Sequence, residues 1–497
     1  MTMTAVAPVA APPRADTAPL RVTVARAALP PHAPLTLGTE LRRLLGEDQV
    51  FLFESLAGPA EDCRFAAVGA EVLARITVHD GQALVDGVPE LARRLRAVTD
   101  RAAGDGVQAL LRALGGAFAV ETDVPPGSYA FGFLGVFGYE AAWHLERLPP
   151  HAPGRDPEIT LTVFRHVVQY DPDTGETCHL YADAAEFGGP GALGPDLTAL
   201  VRALPHEPAP VPPAPRPDAV RGTVGRQEFT DRVEDCLEHI RAGDVYQIQI
   251  GHQIHVTTPL PALDAYRRLR DGNPSPYMYL VPWAGRSLIG ASPELLLRIE
   301  GRSLTMRPIA GTAARAAEPA EDARRAAALR ADAKERAEHI MLVDLCRNDV
   351  ARVSVPGTLT VERMMAVERF AHVHHLVSTV RGELAEGADV WSALRATFPA
   401  GTMTGAPKIR AMELILEIED RPRGAYAGAL GLIDVRGQAA TFALCIRTAV
   451  HDPATRTYTL QASAGVVADS TADGEWRETL IKMGAVYTAL TGEEPTA

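Results

Sequence analysis

Lysine is almost missing: Lys334, Lys408 and Lys482 are the only three among 497 residues, so nearly all of the 49 Lys+Arg are arginine. A chain so biased keeps lysine where a compact ammonium is needed and a planar guanidinium will not fit, unless the three are chance survivors. Cysteine is also scarce. Cys63, Cys178, Cys236, Cys346 and Cys445 are scattered, odd in number and form no CxxC. That argues against a disulfide framework or a structural zinc site and fits a reducing cytoplasm. Positive charge is in deficit, with 49 Lys+Arg against 62 Asp+Glu and a net charge of −13. Nucleic acid and anionic membrane are therefore not expected as partners. No run reaches the roughly 18 apolar residues of a spanning helix. The opening MTMTAVAPVAAPPRADTAPL has no basic segment followed by an apolar one, which predicts a disordered tail over residues 1–20 rather than a signal peptide. What remains is 46% apolar material, enough for the core of a large enzyme or of two to four domains.

Residues 21–204 mix short strands and helices. LTLGTELRRLL and PELARRLRAV have helical periodicity, while TLTVFRHVVQYD and ETCHLYAD alternate as strands. Seven prolines between Pro205 and Pro217 exclude a helix or central strand, so 205–221 is expected to be an extended linker. Beyond it, over 222–492, Phe229, Val233, Leu237 and Ile240 recur at helical spacing until Gly243. Tyr246–Ile250 then alternates as a strand that places Gln247 and Gln249 on one face. If that face is buried the two amides need partners, and a ligand is one candidate; a solvated face is the other.

Ala327–Asp349 lacks Gly and Pro and reads as one helix carrying Glu335 and Glu338 three apart. GEWRETLIKMGAVYTAL repeats the spacing with Glu475 and Glu478, and Lys482 follows one turn on. Like charges on one helical face repel unless compensated. A hard cation such as Mg²⁺ between two such helices would compensate them, although such pairs also occur on solvated helices. In FPAGTMTGAPK, small residues precede a helix, which favours an anion at exposed N–H groups; the pattern is not a nucleotide phosphate loop. FAHVHHLVS holds His372, His374 and His375. On a strand His375 faces away from the other two, so an acid/base histidine fits better than a metal cage.

Together these segments resemble the chorismate-utilising enzymes, in particular component I of anthranilate synthase. The resemblance rests on RPIAGT, ERAEHIMLVDLCRND, FAHVHHLVS, FPAGTMTGAPKIRAMELI, GAYAGALG, CIRTA and QASAGVVADS followed by EWRETLIK, in the family's order from about Gly222 to Leu490. FLFES, GVFGYEAAWHLERLP and NPSPYMYL extend it to the first half. It implies an α/β (α+β) fold, a large sandwich of antiparallel sheets flanked by helices, with the active site in the central cleft. It further implies Mg²⁺ at Glu338 and Glu478, assisted by Glu335 and Glu475, holding the ring carboxylate of chorismate. Tyr426, Arg447, Gly465 and Thr402 would grip substrate carboxylates, in a wall completed by Ala310, Gly311, Thr312, Ser463 and Lys482. Glu294 would protonate the leaving C4 hydroxyl, and His375 would take the C2 proton as pyruvate departs. Glu54, Ser55, Pro276, Tyr277 and Met278 match segments that bind tryptophan as an inhibitor.

Two positions narrow the expected reaction. Isochorismate and salicylate synthases carry a lysine base for water where this chain has Gln247, so ammonia is the expected nucleophile. Aminodeoxychorismate synthases often carry a nucleophilic lysine where this chain has Ala310, which favours amination at C2. No cysteine sits in a GxCxG-type turn, so ammonia would come from a separate glutamine amidotransferase. Some residues depart from the anthranilate pattern: Ala313 and Ala316 replace Arg and Gly, Ser463 replaces Gly, His374 stands where Met is common, and GQAATFALCIRT lacks an acidic residue. Anthranilate synthesis is thus the leading expectation. Release of 2-amino-2-deoxyisochorismate without loss of pyruvate, para-amination, and a catalytically silent effector-binding subunit are the alternatives.

Overall fold

Strand Val50–Glu54 shows how the architecture is built. Its alternate side chains enter different cores, Phe51 and Phe53 on one side, Val50 and Leu52 on the other. Strand Tyr277–Trp283, its antiparallel neighbour with Met278 opposite Glu54, divides its side chains in the same way. The structure is a computed structural model that describes residues 18–64, 66–151, 154–205 and 210–495. Among these residues the strands join in one hydrogen-bonded network. Its pairings are antiparallel except for Leu20–Ala28 beside Phe118–Thr122. Helices cover its faces, as expected for an α/β sandwich of antiparallel sheets.

Strands from either side of the Pro-rich stretch pair with one another. Besides the pair above, Gly132–Phe137 lies against Ala429–Asp434. Within the stretch, the carbonyls of Pro210 and Pro212 accept from Arg267 and Arg268. The strand Ala219–Gly222 closes the stretch and pairs with the end of Gln247–Thr257. Residues 1–17 of the expected tail and 206–209 of the linker lie outside the described residues. Leu20, assigned to the tail, instead begins a strand, because Val22 and Val24 alternate into the core with it.

The helices Pro34–Leu45, Pro89–Ala102 and Arg226–Ala242 follow their sequence periodicity, the last stopping at Gly243 with φ 84°. One expectation is corrected. The predicted single helix across 327–349 is two helices, Pro319–Ala331 and Ala333–Ala351. Asp332 ends the first with extended backbone and caps the second, its carboxylate accepting from the N–H groups of Lys334 and Glu335 at 2.9 and 3.0 Å. An Asp in an Ala-rich stretch interrupts no hydrophobic period, yet its side chain competes for backbone N–H groups and starts a new helix. The break puts Glu335 in the first turn of the second helix.

Candidate active site

Glu335 and Glu338 on helix Ala333–Ala351 and Glu475 and Glu478 on helix Ala472–Thr491 face one cavity of about 690 Å³. Burial, reinforced by Glu478, pushes the Glu338 carboxyl above its usual range. Burial also raises Glu335, with Glu338 as the nearest like charge, and raises Glu475. Glu475 Oε2 is buried with no hydrogen-bond partner. Mutual repulsion at an all-oxygen donor set suits a hard divalent cation. The four groups do not converge on one point: among the described residues no three acidic, His or Cys side chains form a preformed metal cluster. Lys482 compensates in part, its Nζ 2.7 Å from Glu478 and donating to the Ser463 carbonyl at 2.9 Å.

Beside the second acidic pair the lining is cationic. Arg447 has φ 52°, a conformation unusual for a residue with a Cβ. It donates to the Lys482 carbonyl at 2.7 Å. Burial lowers its pKa, and no carboxylate of the described residues pairs with it. A half-buried guanidinium in a cavity wall, with Glu478 acting on it only through space, suits an anion. The Tyr426 phenol lies nearby, its pKa raised by burial. The Ser463 hydroxyl faces that phenol and has no well-formed hydrogen bond.

The acid/base groups line the same cavity. The strand Val373–Glu383 pairs with Ile309–Ala314, where Gly311 interrupts the register between Ala310 and Thr312. Gly311 has φ 66°, and a Cβ there would lie 2.9 Å from Glu335 Oε2, so this position requires glycine. The Gly311 carbonyl is 2.8 Å from His375 Nδ1. A carbonyl only accepts, so Nδ1 carries the proton and Nε2 keeps a free lone pair. Burial above all holds the imidazole at about 4, hence neutral. Glu294, in the turn between strands Arg286–Ser292 and Leu295–Glu300, accepts from the Thr402 hydroxyl at 3.0 Å. Burial pushes its carboxyl up to about 8, so it stays protonated at neutral pH.

Ala310, Gly311, Thr312, Thr402, Tyr426, Arg447, Ser463, Gly465 and Lys482 all line the cavity with these groups. Gln247 does not line it: its amide nitrogen donates to Glu338 Oε1 at 3.0 Å. Gln249 contributes the amide at the wall instead. Gln249 stands opposite Gly465 in the paired strands Gln247–Thr257 and Thr457–Val466, where a Cβ on Gly465 would meet both glutamines. Gln461 and Lys334 also line the cavity. The alternation of Gln247 and Gln249 was the only signal for Gln249; the register that sets it against the substrate wall is a tertiary fact. Arg423, unremarkable in sequence, is buried and ties three site segments together. It donates to the carbonyls of Gln249 and Met403 at 2.8 and 2.9 Å and to both oxygens of Glu419, and its guanidinium lies 5.9 Å from the Tyr426 ring centre.

Two expectations need correction. Lys408 is not in the cavity; it forms a buried pair with Asp349 at 2.7 Å, so the scarcity of lysine marks packing here as well as chemistry. The helix Lys408–Ile418 presents no N-terminal anion site to the cavity, because Gly405 is pressed against the Gln247 carbonyl and Thr402 turns to Glu294. The strand does set His375 apart from its neighbours: His375 lines the cavity, whereas His374 meets Asp322 at 2.8 Å and His372 reaches the Gly272 carbonyl.

The expected effector residues do meet, on strands Val50–Glu54 and Tyr277–Trp283, with the Ser55 hydroxyl donating to the Pro276 carbonyl at 2.7 Å. The Glu54 carboxylate is already engaged by Tyr266 and Arg270 at 2.6 and 2.8 Å. The cavity beside Glu54, Tyr277 and Met278 holds about 10 Å³, the space of one water.

An acid held protonated, a neutral base and a cationic grip in one cavity with a carboxylate cluster define an enzyme site for a small anionic substrate. Residues 52–488 match the family of chorismate binding enzymes, and the chain belongs to it. It is 43% identical over 493 residues to the 2-amino-4-deoxychorismate synthase of Streptomyces globisporus, covering 96% of this chain and 98% of that one. It is 46% identical over 410 residues to anthranilate synthase component 1 of Streptomyces coelicolor, covering 79% of each. Among solved structures, anthranilate synthase component I from Streptococcus pneumoniae superposes with a TM-score of 0.68 at 30% identity, covering 85% of this chain and 92% of that one. The menaquinone-specific isochorismate synthase of Escherichia coli, at 18% identity and a TM-score of 0.69, shares the fold. Among the described residues no helix is long and apolar enough to cross a membrane.

Proposed function

We propose that the chain aminates chorismate at C2 with ammonia and then eliminates pyruvate, giving anthranilate. The observation that carries this reading is His375, a neutral imidazole whose Nδ1–H is held by the Gly311 carbonyl while Nε2 is free to take a proton. The substrate has two carboxylates, and the cavity lining offers two kinds of group for them. Arg447 and Tyr426 suit the enolpyruvyl carboxylate. Glu335, Glu338, Glu475 and Glu478 suit the ring carboxylate only with a cation between them. Mg²⁺, when bound there, supplies the positive charge that holds and polarises that carboxylate.

Ammonia attacks C2, the two ring double bonds shift from C1=C2 and C5=C6 to C1=C6 and C4=C5, and the C4–O bond breaks as Glu294 gives its proton to the departing hydroxyl, which leaves as water. The surplus proton on nitrogen passes to solvent. His375 Nε2 then takes the C2 proton; the electrons of the C2–H bond form C2=C3 and complete the aromatic ring, the C3–O bond breaks, and the departing enolate takes a proton from solvent on its methylene carbon to become pyruvate. Gln249 and Gln247 are neutral amides that neither protonate ammonia nor activate water. Ammonia would be delivered by a separate amidotransferase, in keeping with relatives named as component 1. Burial raises the thiols of Cys236, Cys346 and Cys445, which removes them as glutaminase nucleophiles.

A second reading ends after the first half-reaction. The name 2-amino-4-deoxychorismate describes an amine at C2, no oxygen at C4 and a retained enolpyruvyl group, the compound expected before pyruvate leaves. Its synthase matches this chain over almost its full length. Incubation with chorismate, Mg²⁺ and ammonium separates the two: equal anthranilate and pyruvate support elimination, whereas an accumulating amino acid without pyruvate supports early release. With the concentration of unprotonated NH₃ held constant, kcat/KM should fall above about pH 8, as the Glu294 proton is lost. No fall up to pH 9.5 would remove Glu294 as the acid.

The filled effector region adds a further expectation. Saturating L-tryptophan should change the initial rate less than twofold, because about 10 Å³ cannot take an indole. Strong inhibition competitive with chorismate would show that the strands part to admit it.

A further inference from the structure

Four of the residues lining the catalytic cavity are exposed: Thr312, Lys334, Arg477 and Ile481. They mark its mouth, and the two charged ones are both cations. Lys334 is the second residue of helix Ala333–Ala351, and Arg477 stands on helix Ala472–Thr491 between Glu475 and Glu478. Each acid-bearing helix therefore puts one positive side chain at the opening. Among the described residues neither has a carboxylate within ion-pair distance, whereas Lys408 and Lys482 are paired with Asp349 and Glu478 at 2.7 Å. Arg477 donates to the Asp473 carbonyl of its own helix at 3.0 Å, which leaves its outer nitrogens to solvent.

These placements are not what local physics alone would select. A helix start carries partial positive charge, so a lysine in the first turn is at the unfavourable end, in a chain that has only three lysines. Neutralising the acids would be served by contact, as Lys482 serves Glu478. Lys334 instead acts on Glu335, Glu338 and Glu475 only through space. An approaching dianion meets a chain of net charge −13 and a cavity holding four glutamates, and both repel it. Unpaired cations at the mouth of a cleft reverse the local field and raise the rate at which an anion enters.

We infer that Lys334 and Arg477 are capture residues: they draw the dianionic substrate to the mouth and release it inward to Arg447, so they set its association rate and leave the chemical steps alone. The inference rests on the chorismate reading for the identity of the anion. It gives a function to the one lysine that neither packing nor the proposed reaction uses.

Stopped-flow mixing of chorismate with the full-length protein, at saturating Mg²⁺ and without ammonium, isolates binding from turnover. Trp476, between Glu475 and Arg477 in the chain, supplies the fluorescence. In the double variant Lys334→Gln/Arg477→Gln the association rate constant should fall about tenfold at low ionic strength. The dissociation rate, and kcat at saturating chorismate, Mg²⁺ and ammonium, should stay within twofold of wild type. Added KCl should slow association of the wild type but not of the variant, in which the net negative charge of the chain dominates. An association rate within twofold of wild type at low salt would overturn the inference. So would faster dissociation or a tenfold loss of kcat with association unchanged, since either would place the two side chains on the bound substrate. Each single variant should show part of the loss, which keeps the test open if the double variant does not fold. Chorismate binding by wild type without amination on adding ammonium would sink the proposed reaction and leave the capture comparison valid; absence of binding in calorimetry would sink both.

Discussion

Glu338→Gln should lower turnover of chorismate on the order of a thousandfold while the protein melts no lower than wild type. The two halves of that result have one cause. Glu338 is buried against Glu478 with its carboxyl pushed above the usual range, so its ionised form is unfavourable in the protein alone. An amide removes the repulsion and can still meet Gln247 through its oxygen. The same substitution removes a charged oxygen from the set that would hold Mg²⁺, and with it several kcal/mol of charge stabilisation at the ring carboxylate. Thermal melting with and without Mg²⁺ and chorismate checks both: the ligand-dependent rise should shrink in the variant. Undiminished turnover would support the silent-subunit alternative and remove Glu338 from the site. The sign of the pH effect follows. A carboxyl raised by burial makes the free protein less stable as pH climbs through the usual carboxylate range to the raised value. Glu338→Gln should flatten that part of the stability profile.

His375→Ala should separate the half-reactions. Pyruvate release should fall 10²–10⁴-fold, the range expected on removal of a positioned base. Loss of chorismate should continue, because nothing in the amination geometry requires the imidazole. Mass spectrometry should then show the C2-aminated, C4-deoxygenated acid accumulating. If the wild type already releases that acid, the variant will leave its product unchanged, and elimination is not this chain's reaction. If amination stops as completely as pyruvate release, the imidazole serves the first step as well. The Gly311 carbonyl is central to the assignment. It fixes the proton on Nδ1, and burial holds the imidazole at about 4, so no acid limb from His375 should appear in the working pH range.

Much of this site could be read from local spacing. The Glu335–Glu338 and Glu475–Glu478 pairs needed only a helix to share faces, and both helices formed. Strand alternation set His375 apart from His372 and His374, and the family resemblance alone singled it out as the base. Lys408 misled because its motif sits among site motifs in the chain while the side chain turns to Asp349, a partner visible only after folding. The helix break at Asp332 escaped because one polar residue in an Ala-rich run leaves the hydrophobic pattern intact. Gln249 and Arg423 were not singled out as site residues, since their roles arise from strand register and from contacts to segments far apart in sequence.

The sequence by itself determined the secondary-structure periods, the paired acids, the glycine at 311 and the absence of a lysine at 247 and 310. These are short-range facts, set by the helical repeat, the strand repeat and the chemistry of single side chains. Only the tertiary structure decided which residues share one cavity, that Glu54 is already engaged, and that Glu294 is protonated while His375 is neutral. Burial sets those protonation states, and burial depends on strands and helices from the whole chain closing over one point.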